Sequence, residues 1–512
     1  MKGKFVRFFG LVLLFLLPFL AAMPALGAEE VQTGGTLMMR TPQDNDNYDP
    51  HTNDLMVFRQ TIRLAIYDTL VRYDENLEME PMLAESWENP DDTTYIFHLR
   101  EGVSWHDGEP FNAADVVHSF ERVMNPDTGS YLATRLAQVD SVEALDDHTV
   151  KVVMKEVNAA FLDNLVAISI VPEHVGDEIR SNPVGTGSFT FVEWEPNERI
   201  VLAKNENYWK EGLPYLDKIV FKIIPDTQVA LTNLEAGEVD LVDWLTPADA
   251  EIAKTLEGVE LYVVPDTTQL AFWEVSPTSA VEPLRDPKVR QALVMCIDRE
   301  AIGDLVFKGY GQPAINPIPE KSWAYTEIKD YGYDPAKAKE LLAELGYKEG
   351  DISFKIITWA GYKTLEDMSL VWQQGLAEAG VNCEVEVLEV QVMLGKYTSF
   401  DYDVTTNVYA PSPDPNSWFD VVMMPHLRSE SVAIKADYDN PEMFDLIIAA
   451  NSTLEQEKRK GMYARLQEWN NEELVCILAW REAIIAAHKP IVHGFIINGL
   501  ADRNLSETWI EH

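Results

Sequence analysis

The spacing of apolar and polar positions has a different periodicity in the two halves of this chain. Tyr95, Phe97 and Leu99 occupy alternate positions and share one face, which is the pattern of a half-buried β-strand. A further β-type run covers 188–209. After residue 285 helical and strand patterns alternate, which predicts βαβ units and a mostly parallel sheet.

Two predicted helices in the second half begin with the same Asp-Pro pair. Asp286 and Asp334 are predicted N-caps, and each is followed by a proline in the first helical position, Pro287 and Pro335. Gly346 is predicted to end the second helix, because glycine readily takes the left-handed conformation that follows a helix. These signals fix where two helices of the second half should start.

The stretch "GVSWHDGEPFNAADVVHSFERVM" (102–124) contains a Trp, two His and two Asp, and it suggests catalysis at first sight. Its Asp-Gly pair instead predicts a tight turn, and Asn112 with Asp115 predicts a helix N-terminus with a reciprocal capping box. His106 falls in the turn and His118 in the helix, and nothing in the sequence places them together. We therefore interpret the stretch as scaffold.

The N-terminal residues 1–28 read as a secretory signal peptide. A basic start precedes a short uncharged apolar run, and small residues at the exit predict cleavage near Gly27 or Ala28. An N-terminal membrane anchor is the alternative, since the run is close to the length of a membrane span. The mature protein is expected to be exported and to act outside the cytoplasm.

The chain has a formal net charge of −43, with 84 acidic and 41 basic residues. Such a surface repels nucleic acid and anionic lipid, which excludes both as partners. Cys296, Cys383 and Cys476 lie in apolar, periodic sequence and are expected to be unpaired, buried thiols. There is no Cys-x-x-Cys or His-x-x-x-His spacing, so the sequence predicts neither a metal site nor a cofactor.

The segment "FHLREGVSWHDGEPFNAADVVHSFERVM" (97–124) resembles a signature of the extracytoplasmic substrate-binding proteins of ABC importers, in the peptide/nickel-binding family (family 5). Other segments resemble the same family in the same order: 67–74, 81–88, 182–209, 285–302 and 333–347. The resemblance covers nearly the whole mature chain, and several blocks together are more specific than one motif.

The resemblance implies an α/β, two-lobed periplasmic-binding-protein-like fold, with hinged lobes, mixed sheets and a β-rich insert domain in the first lobe. It implies the following division: lobe I at 29–75, 180–277 and 485–512, the insert at 76–179, and lobe II at 278–484. It also implies a function without catalysis. A small peptide or similar nutrient is enclosed between the lobes and delivered to the membrane permease of an ABC transporter, by a protein expected to be monomeric.

Ligands of open α/β sheets bind beyond the carboxyl ends of the strands. This rule favours Trp359, Tyr409 and Trp418 as residues lining a ligand pocket, although each is equally well explained as interdomain core. In the resembled family the stretch after Tyr409 often carries an acid that pairs with a peptide amino group, but here the counterpart is Pro411. Asp414 is the nearest acid, with the role of a turn-former as its alternative.

Four further residues are candidates for the ligand site. Arg40 and Arg481 lie at strand ends and are candidates to present cations to an acidic ligand group, with surface salt bridges as the alternative. Trp273 and Trp480 lie near the expected crossings between lobes, as pocket wall or as hinge support. His426 is a candidate ligand of a nickel chelate.

Three other functions stay open at this point. The first keeps the binding role but takes an oligosaccharide, an opine-like compound or a nickel chelate, which the missing acid at position 411 favours. The second is a secreted hydrolase, against which the chain has no Gly-x-Ser-x-Gly motif. The third is a peptide-handling chaperone or a chemoreceptor partner with the same fold.

Overall fold

The computed structural model describes residues 31–423 and 440–512, so the expected signal peptide and His426 lie outside the described residues. Among these residues a seven-stranded sheet, called here the first sheet, has the strand order Glu260–Val264, Ile484–His488, Leu241–Val242, Thr36–Thr41, Lys218–Ile223, Arg199–Lys204 and Phe189–Glu195. Thr36–Thr41 is parallel to both of its neighbours. The first sheet therefore unites segments from the beginning, the middle and the end of the chain.

A six-stranded sheet, called the second sheet, has the order Gln312–Pro313, Cys476–Arg481, Leu270–Val275, Val404–Tyr409, Ser353–Trp359 and Asn382–Leu388. Its last three strands are parallel, but the other pairings are antiparallel. The prediction of a mostly parallel sheet is therefore wrong. Two of the antiparallel strands connect directly to the first sheet: Leu270–Val275 follows a strand of that sheet, and Cys476–Arg481 precedes one. The periodicity of helices and strands does not reveal such a connection.

Two central strands of the second sheet, Leu270–Val275 and Cys476–Arg481, are buried on both faces. Along Leu270–Val275, Ala271 and Trp273 pack into one core, whereas Leu270 and Phe272 pack into another. This is the period of two expected of a strand between two packed layers. A strand with such all-round burial shows no amphipathic alternation in its sequence.

A four-stranded antiparallel sheet follows the order Ala84–Asp91, Thr94–Leu99, Thr149–Met154 and Val139–Asp146. The helix Ala113–Met124 packs against it. The predicted capping box of this helix is confirmed: Asn112 Oδ1 accepts from the Ala114 N–H at 2.8 Å, and Asp115 Oδ2 accepts from the Asn112 N–H at 3.0 Å. This sheet and helix belong to the β-rich insert, which is expected at 76–179 and is called here the insert.

The remaining α-helices of the described residues are Arg63–Ile66, Phe161–Leu165, Thr227–Ala236, Pro247–Ala253, Pro287–Val294, Arg299–Ala301, Pro335–Glu344, Lys363–Glu378, Val390–Thr398, Asn416–Trp418, Pro441–Asn451 and Gln456–Glu473. The helix starts predicted at Asp286 and Asp334 are confirmed, since both carboxylates accept from backbone N–H groups of the first turn. None of the helices in the described part of the chain combines the length and the apolar character needed to span a membrane.

The three cysteines are free thiols. Cys296 and Cys476 are buried and Cys383 is half-buried. Burial raises the pKa of the Cys296 thiol to about 12, so it stays protonated at neutral pH. The prediction of unpaired thiols is confirmed, with Cys383 less buried than expected.

Candidate functional site

The chain passes between the first and the second sheet at two neighbouring segments, called here the first crossing (265–269) and the second crossing (482–483). They lie side by side: the Glu482 N–H donates to the Gln269 carbonyl at 2.9 Å, and the Thr267 hydroxyl donates to the Glu482 carbonyl at 2.5 Å. The chain thus leaves the first sheet at 265–269, slightly before residue 277, where lobe I is expected to end.

The carboxyl ends of the parallel strands in both sheets lie close to these crossings. In the second sheet, Tyr409 is the register partner of Leu270, the residue directly after the first crossing. In the first sheet, the Leu245 N–H donates to the Ile485 carbonyl, just past the second crossing. The sheet-end rule therefore directs a ligand site to this region, which we call the boundary.

Two predicted aromatic residues lie at the boundary with part of their surface free. Trp359 and Tyr409 end adjacent parallel strands and are half-buried. The Trp359 Nε1–H donates to the Thr406 carbonyl at 3.0 Å, and the Tyr409 hydroxyl lies 3.0 Å from the Ser417 hydroxyl. These contacts hold the two rings in fixed orientations while leaving ring surface for another molecule.

Trp418, Trp273 and Trp480 are buried inside the lobe that contains the second sheet. Trp418 packs edge-on against Phe272 at 5.1 Å between ring centroids. Trp273 lies 4.5 Å from Trp372 in the same measure. The Trp480 Nε1–H donates to the Tyr310 carbonyl at 2.8 Å. The structure thus gives these three rings packing roles, and their part in ligand binding stays a prediction.

Arg40 and Arg481 are both buried, and both guanidinium groups bind backbone carbonyls. Arg40 donates to the carbonyls of Ile224, Pro225 and Asp243, in the loops that follow neighbouring strands of the first sheet. Arg481 donates to the carbonyls of Thr267, Asn316 and Pro317 at 3.0, 3.2 and 3.3 Å. Burial lowers the pKa of Arg481 to about 10, so it remains a cation at neutral pH.

The sequence left two roles open for Arg40 and Arg481, a ligand contact or a surface salt bridge. The observed bonds to backbone carbonyls are neither. Each guanidinium fixes loops around the boundary, and a ligand contact for either stays a prediction.

Asp414 forms a turn and an ion pair. Its Oδ1 accepts from the Asn416 N–H at 3.0 Å and from Arg459 Nη2 at 2.6 Å. Arg459 lies over the Trp323 ring, 5.3 Å from its centroid. The turn-former role that was the alternative is therefore present, and the carboxylate already has a cation.

A second contact joins the insert to the loop after Tyr409, and we call it the front contact. Asp163 of the insert accepts from the Ser412 hydroxyl at 2.6 Å through Oδ2 and from the Tyr73 hydroxyl at 2.7 Å through Oδ1. Burial raises the pKa of this carboxyl to about 6, and the negative charge of Asp414 adds to the effect. The sequence offered no sign of Asp163, because its partner Ser412 is 249 residues away.

The first sheet contributes another residue that sequence reasoning missed. Trp244 follows a strand end at the boundary with a φ of 60°, rare for a bulky residue, and its Nε1–H is buried without a hydrogen-bond partner among the described residues. Arg503 lies over its ring at 4.1 Å from the centroid and donates to Asp243 Oδ2 at 3.0 Å. Strained conformations of this kind gather at ligand sites.

His106, in the stretch 102–124, has structural contacts. His106 Nε2 lies 3.0 Å from the Gly187 carbonyl, and its Nδ1 accepts from the Gly185 N–H. Burial lowers its pKa to about 4, so the ring is neutral at pH 7. Within 31–423 and 440–512 no group of three or more His, Cys, Asp or Glu side chains has the arrangement of a metal site.

The chain is similar in sequence to known proteins. Residues 78–423 match the sequence profile of bacterial extracellular solute-binding proteins, family 5, middle region. Heme-binding protein A of Haemophilus influenzae is 31% identical over 467 residues, 84% of either chain. The glutathione-binding protein GsiB of Pectobacterium atrosepticum is 29% identical over 503 residues, 93% of either chain.

A solved structure has the same fold. The ABC transporter-associated periplasmic binding protein DppA from Helicobacter pylori, in complex with peptide STSA, superposes with a TM-score of 0.75 at 27% identity. The match covers 94% of this chain and 99% of that chain. The expected two-lobed α/β fold with mixed sheets is confirmed.

Proposed function

Because the chain belongs to family 5 of the bacterial extracellular solute-binding proteins, we propose that it encloses a peptide between its lobes and delivers it to an ABC permease. Glutathione and peptide STSA, named with two of the relatives, are both peptides, whereas heme is the ligand named with the third. Family membership supports a binding role but does not identify the ligand. The residues at the boundary are therefore the basis for proposing one.

The observation that carries the proposal is the pair of half-buried rings at the strand ends beside both crossings. Trp359 and Tyr409 offer rigid aromatic surface at the ends of adjacent parallel strands, and we propose that a ligand held there also contacts the first lobe. Contacts made by both lobes exist only when the lobes are closed, so a ligand shifts the population toward the closed form. No bond is made or broken in this mechanism, and no nucleophile or base is required.

The remaining parts of the proposal concern the setting of the protein. The charge pattern of residues 1–28 supports export with cleavage near residues 27–28. The permease partner follows from the role of ABC substrate-binding proteins, and the monomeric state accords with a ligand site formed within one chain. Family 5 itself is described as extracellular.

A ligand screen tests this proposal. We expect small peptides to raise the melting temperature of the wild-type protein by ligand linkage, with oligosaccharides, opines and nickel–histidine in the same screen. Mass spectrometry of compounds released by gentle denaturation identifies a ligand that co-purifies. If no peptide stabilises the protein but a compound of another class does, the proposed ligand is wrong and the binding role stands.

Single substitutions then locate the site. Trp359→Ala and Tyr409→Ala should each weaken peptide binding by roughly 30-fold, the loss expected for an aromatic anchor. Trp87→Ala is the matched control, because Trp87 is a half-buried ring in the insert, away from the strand ends at the boundary. If binding falls equally in the control, the effect is one of stability and not of ligand contact.

A further inference from the structure

Glu482 is the first residue of the second crossing and directly follows Arg481. Successive side chains of an extended segment point to opposite sides. Arg481 turns toward the carbonyls of Thr267, Asn316 and Pro317, and the Glu482 side chain therefore lies on the other side of the crossing. Tyr362 lies close enough on that side for the Glu482 charge to raise its pKa.

The carboxylate of Glu482 is only partly satisfied. Its Oε2 accepts from the Gln269 side chain of the first crossing. Its Oε1 is buried, and no described residue donates a hydrogen bond to it. A buried carboxylate oxygen without a donor is unfavourable, and native structures normally supply one or keep the site for a ligand.

The surrounding charges leave this oxygen without a cation. Gln269 is neutral, and Tyr362 is a phenol whose pKa is raised to about 12, mainly because the side chain is partly desolvated and further by the Glu482 charge. Arg481 faces the other side, where Asp266 is the acid that affects its pKa. Burial raises the pKa of Glu482 itself to about 7, while the hydrogen bond from Gln269 opposes that rise.

We infer that Glu482 Oε1 binds a positively charged group of the ligand, an ammonium or a guanidinium. The inference rests on the proposed function and narrows it to ligands that bring a cation to the boundary. Tyr362, 44% exposed, is near enough for the Glu482 charge to act on its phenol, and its ring would add aromatic surface for a cation bound at this carboxylate. The cation comes either from the amino terminus of a peptide or from a lysine or arginine side chain.

The test uses Glu482→Gln, which removes the charge and keeps an oxygen that can accept from Gln269. Calorimetry at pH 8 compares three peptides: trialanine, N-acetyl-Ala-Ala-Lys and N-acetyl-trialanine. The wild-type protein should bind one of the first two roughly 10- to 100-fold more tightly than the third, the range of a charge-assisted hydrogen bond. The first peptide identifies the amino terminus as the source, and the second identifies the side chain.

In Glu482→Gln this preference should disappear. Asp266→Asn is the matched control, because it removes one negative charge from the first crossing, on the side of Arg481. It should keep the preference. Equal preferences in wild type and Glu482→Gln, or the same loss in both variants, would overturn the inference.

The pH dependence supplies a second readout. Below pH 7 the carboxyl of the free protein is protonated and must lose its proton to bind a cation, so affinity falls as pH decreases. Between pH 8 and pH 6 the wild type should lose about tenfold in affinity for the lysine peptide, or about fourfold for trialanine, whose amino group is only about half protonated at pH 8, and Glu482→Gln should lose none. A wild type with a flat profile contradicts the inference.

Failure of the proposed function is separable from failure of this inference. If no peptide binds the wild type, the peptide proposal fails, and L-argininamide at millimolar concentration becomes the probe. A thermal stabilisation of the wild type that is absent in Glu482→Gln would retain Glu482 as a cation site. An equal response in the two proteins would remove it.

Discussion

The crossings and the front contact both join the two halves of the molecule, and these two places are built differently. At the crossings the chain itself joins the halves, and the Arg481 guanidinium binds three backbone carbonyls. At the front contact the Asp163 and Ser412 side chains meet at 2.6 Å, and the insert also donates the Ala159 N–H to the Asn451 carbonyl at 2.8 Å. The first place can bend without separating, whereas the second must separate whenever the lobes move apart.

The two places also differ in their response to pH. Arg481 has a pKa of about 10 and stays charged throughout the physiological range. Asp163 has a pKa of about 6, raised first by burial, and changes its charge close to neutrality. The difference indicates a permanent hinge on one side and a proton-sensitive contact on the other, and each can be tested by its own substitution.

The largest effect is expected at the hinge. Arg481→Met removes the donors of three buried carbonyls, and each buried acceptor left unsatisfied costs about 1 kcal/mol or more. We expect the free energy of unfolding to fall by about 3 kcal/mol, measured by urea denaturation. Arg481→Lys is the control, because it keeps a cation and some of the donors and should lose less. A methionine variant as stable as the wild type would show that the carbonyl contacts do not hold the crossings.

An intermediate effect is expected at the front contact. Asp163→Asn resembles the protonated carboxyl and should favour the closed arrangement at pH 7, shifting the ratio of closed to open protein by roughly tenfold. Small-angle scattering, or fluorescence transfer between dyes on the two lobes, measures this ratio without ligand.

The sign of the pH dependence follows from the raised pKa. In the closed form Asp163 binds its proton more tightly than it would when solvated near pKa 3.8, so the contact is most favourable at low pH and weakens as pH rises toward about 6. The wild type should therefore be more closed at pH 4.5 than at pH 7, and Asp163→Asn should not change. Asp92→Asn, an exposed acid of the insert, is the control and should behave as the wild type does.

Sequence patterns predicted the parts of this molecule that depend on neighbouring residues. The capping box at Asn112 and the helix start at Asp286 follow local rules, and both are present. The sheet-end rule selected Trp359 and Tyr409, which end two strands with readable patterns, and their contact with a ligand stays a prediction. The resemblance to family 5 supplied the two-lobed fold, which local patterns alone do not contain.

Other features depend on contacts between distant residues and left no local signal. Asp163 and Ser412 meet across 249 residues, and the second crossing is defined only by the register of its strands. Glu482 stands next to the candidate Arg481, but the sequence does not show which of the two faces the boundary. Buried arginines such as Arg40 resemble surface arginines until their backbone acceptors are known.

The smallest effect is expected at the surface of the same hinge. Lys321 pairs with Asp266 of the first crossing, but their side chains are 82% and 50% exposed, so water and salt screen the pair. Lys321→Ala should change the free energy of unfolding by no more than about 0.5 kcal/mol in urea denaturation. The same measurement in high salt controls for screening. There the free energies of unfolding of the wild type and Lys321→Ala should be nearly equal. A loss comparable to that of Arg481→Met would mean that the surface pair and the buried guanidinium hold the crossings equally, and the hinge would then weaken with ionic strength.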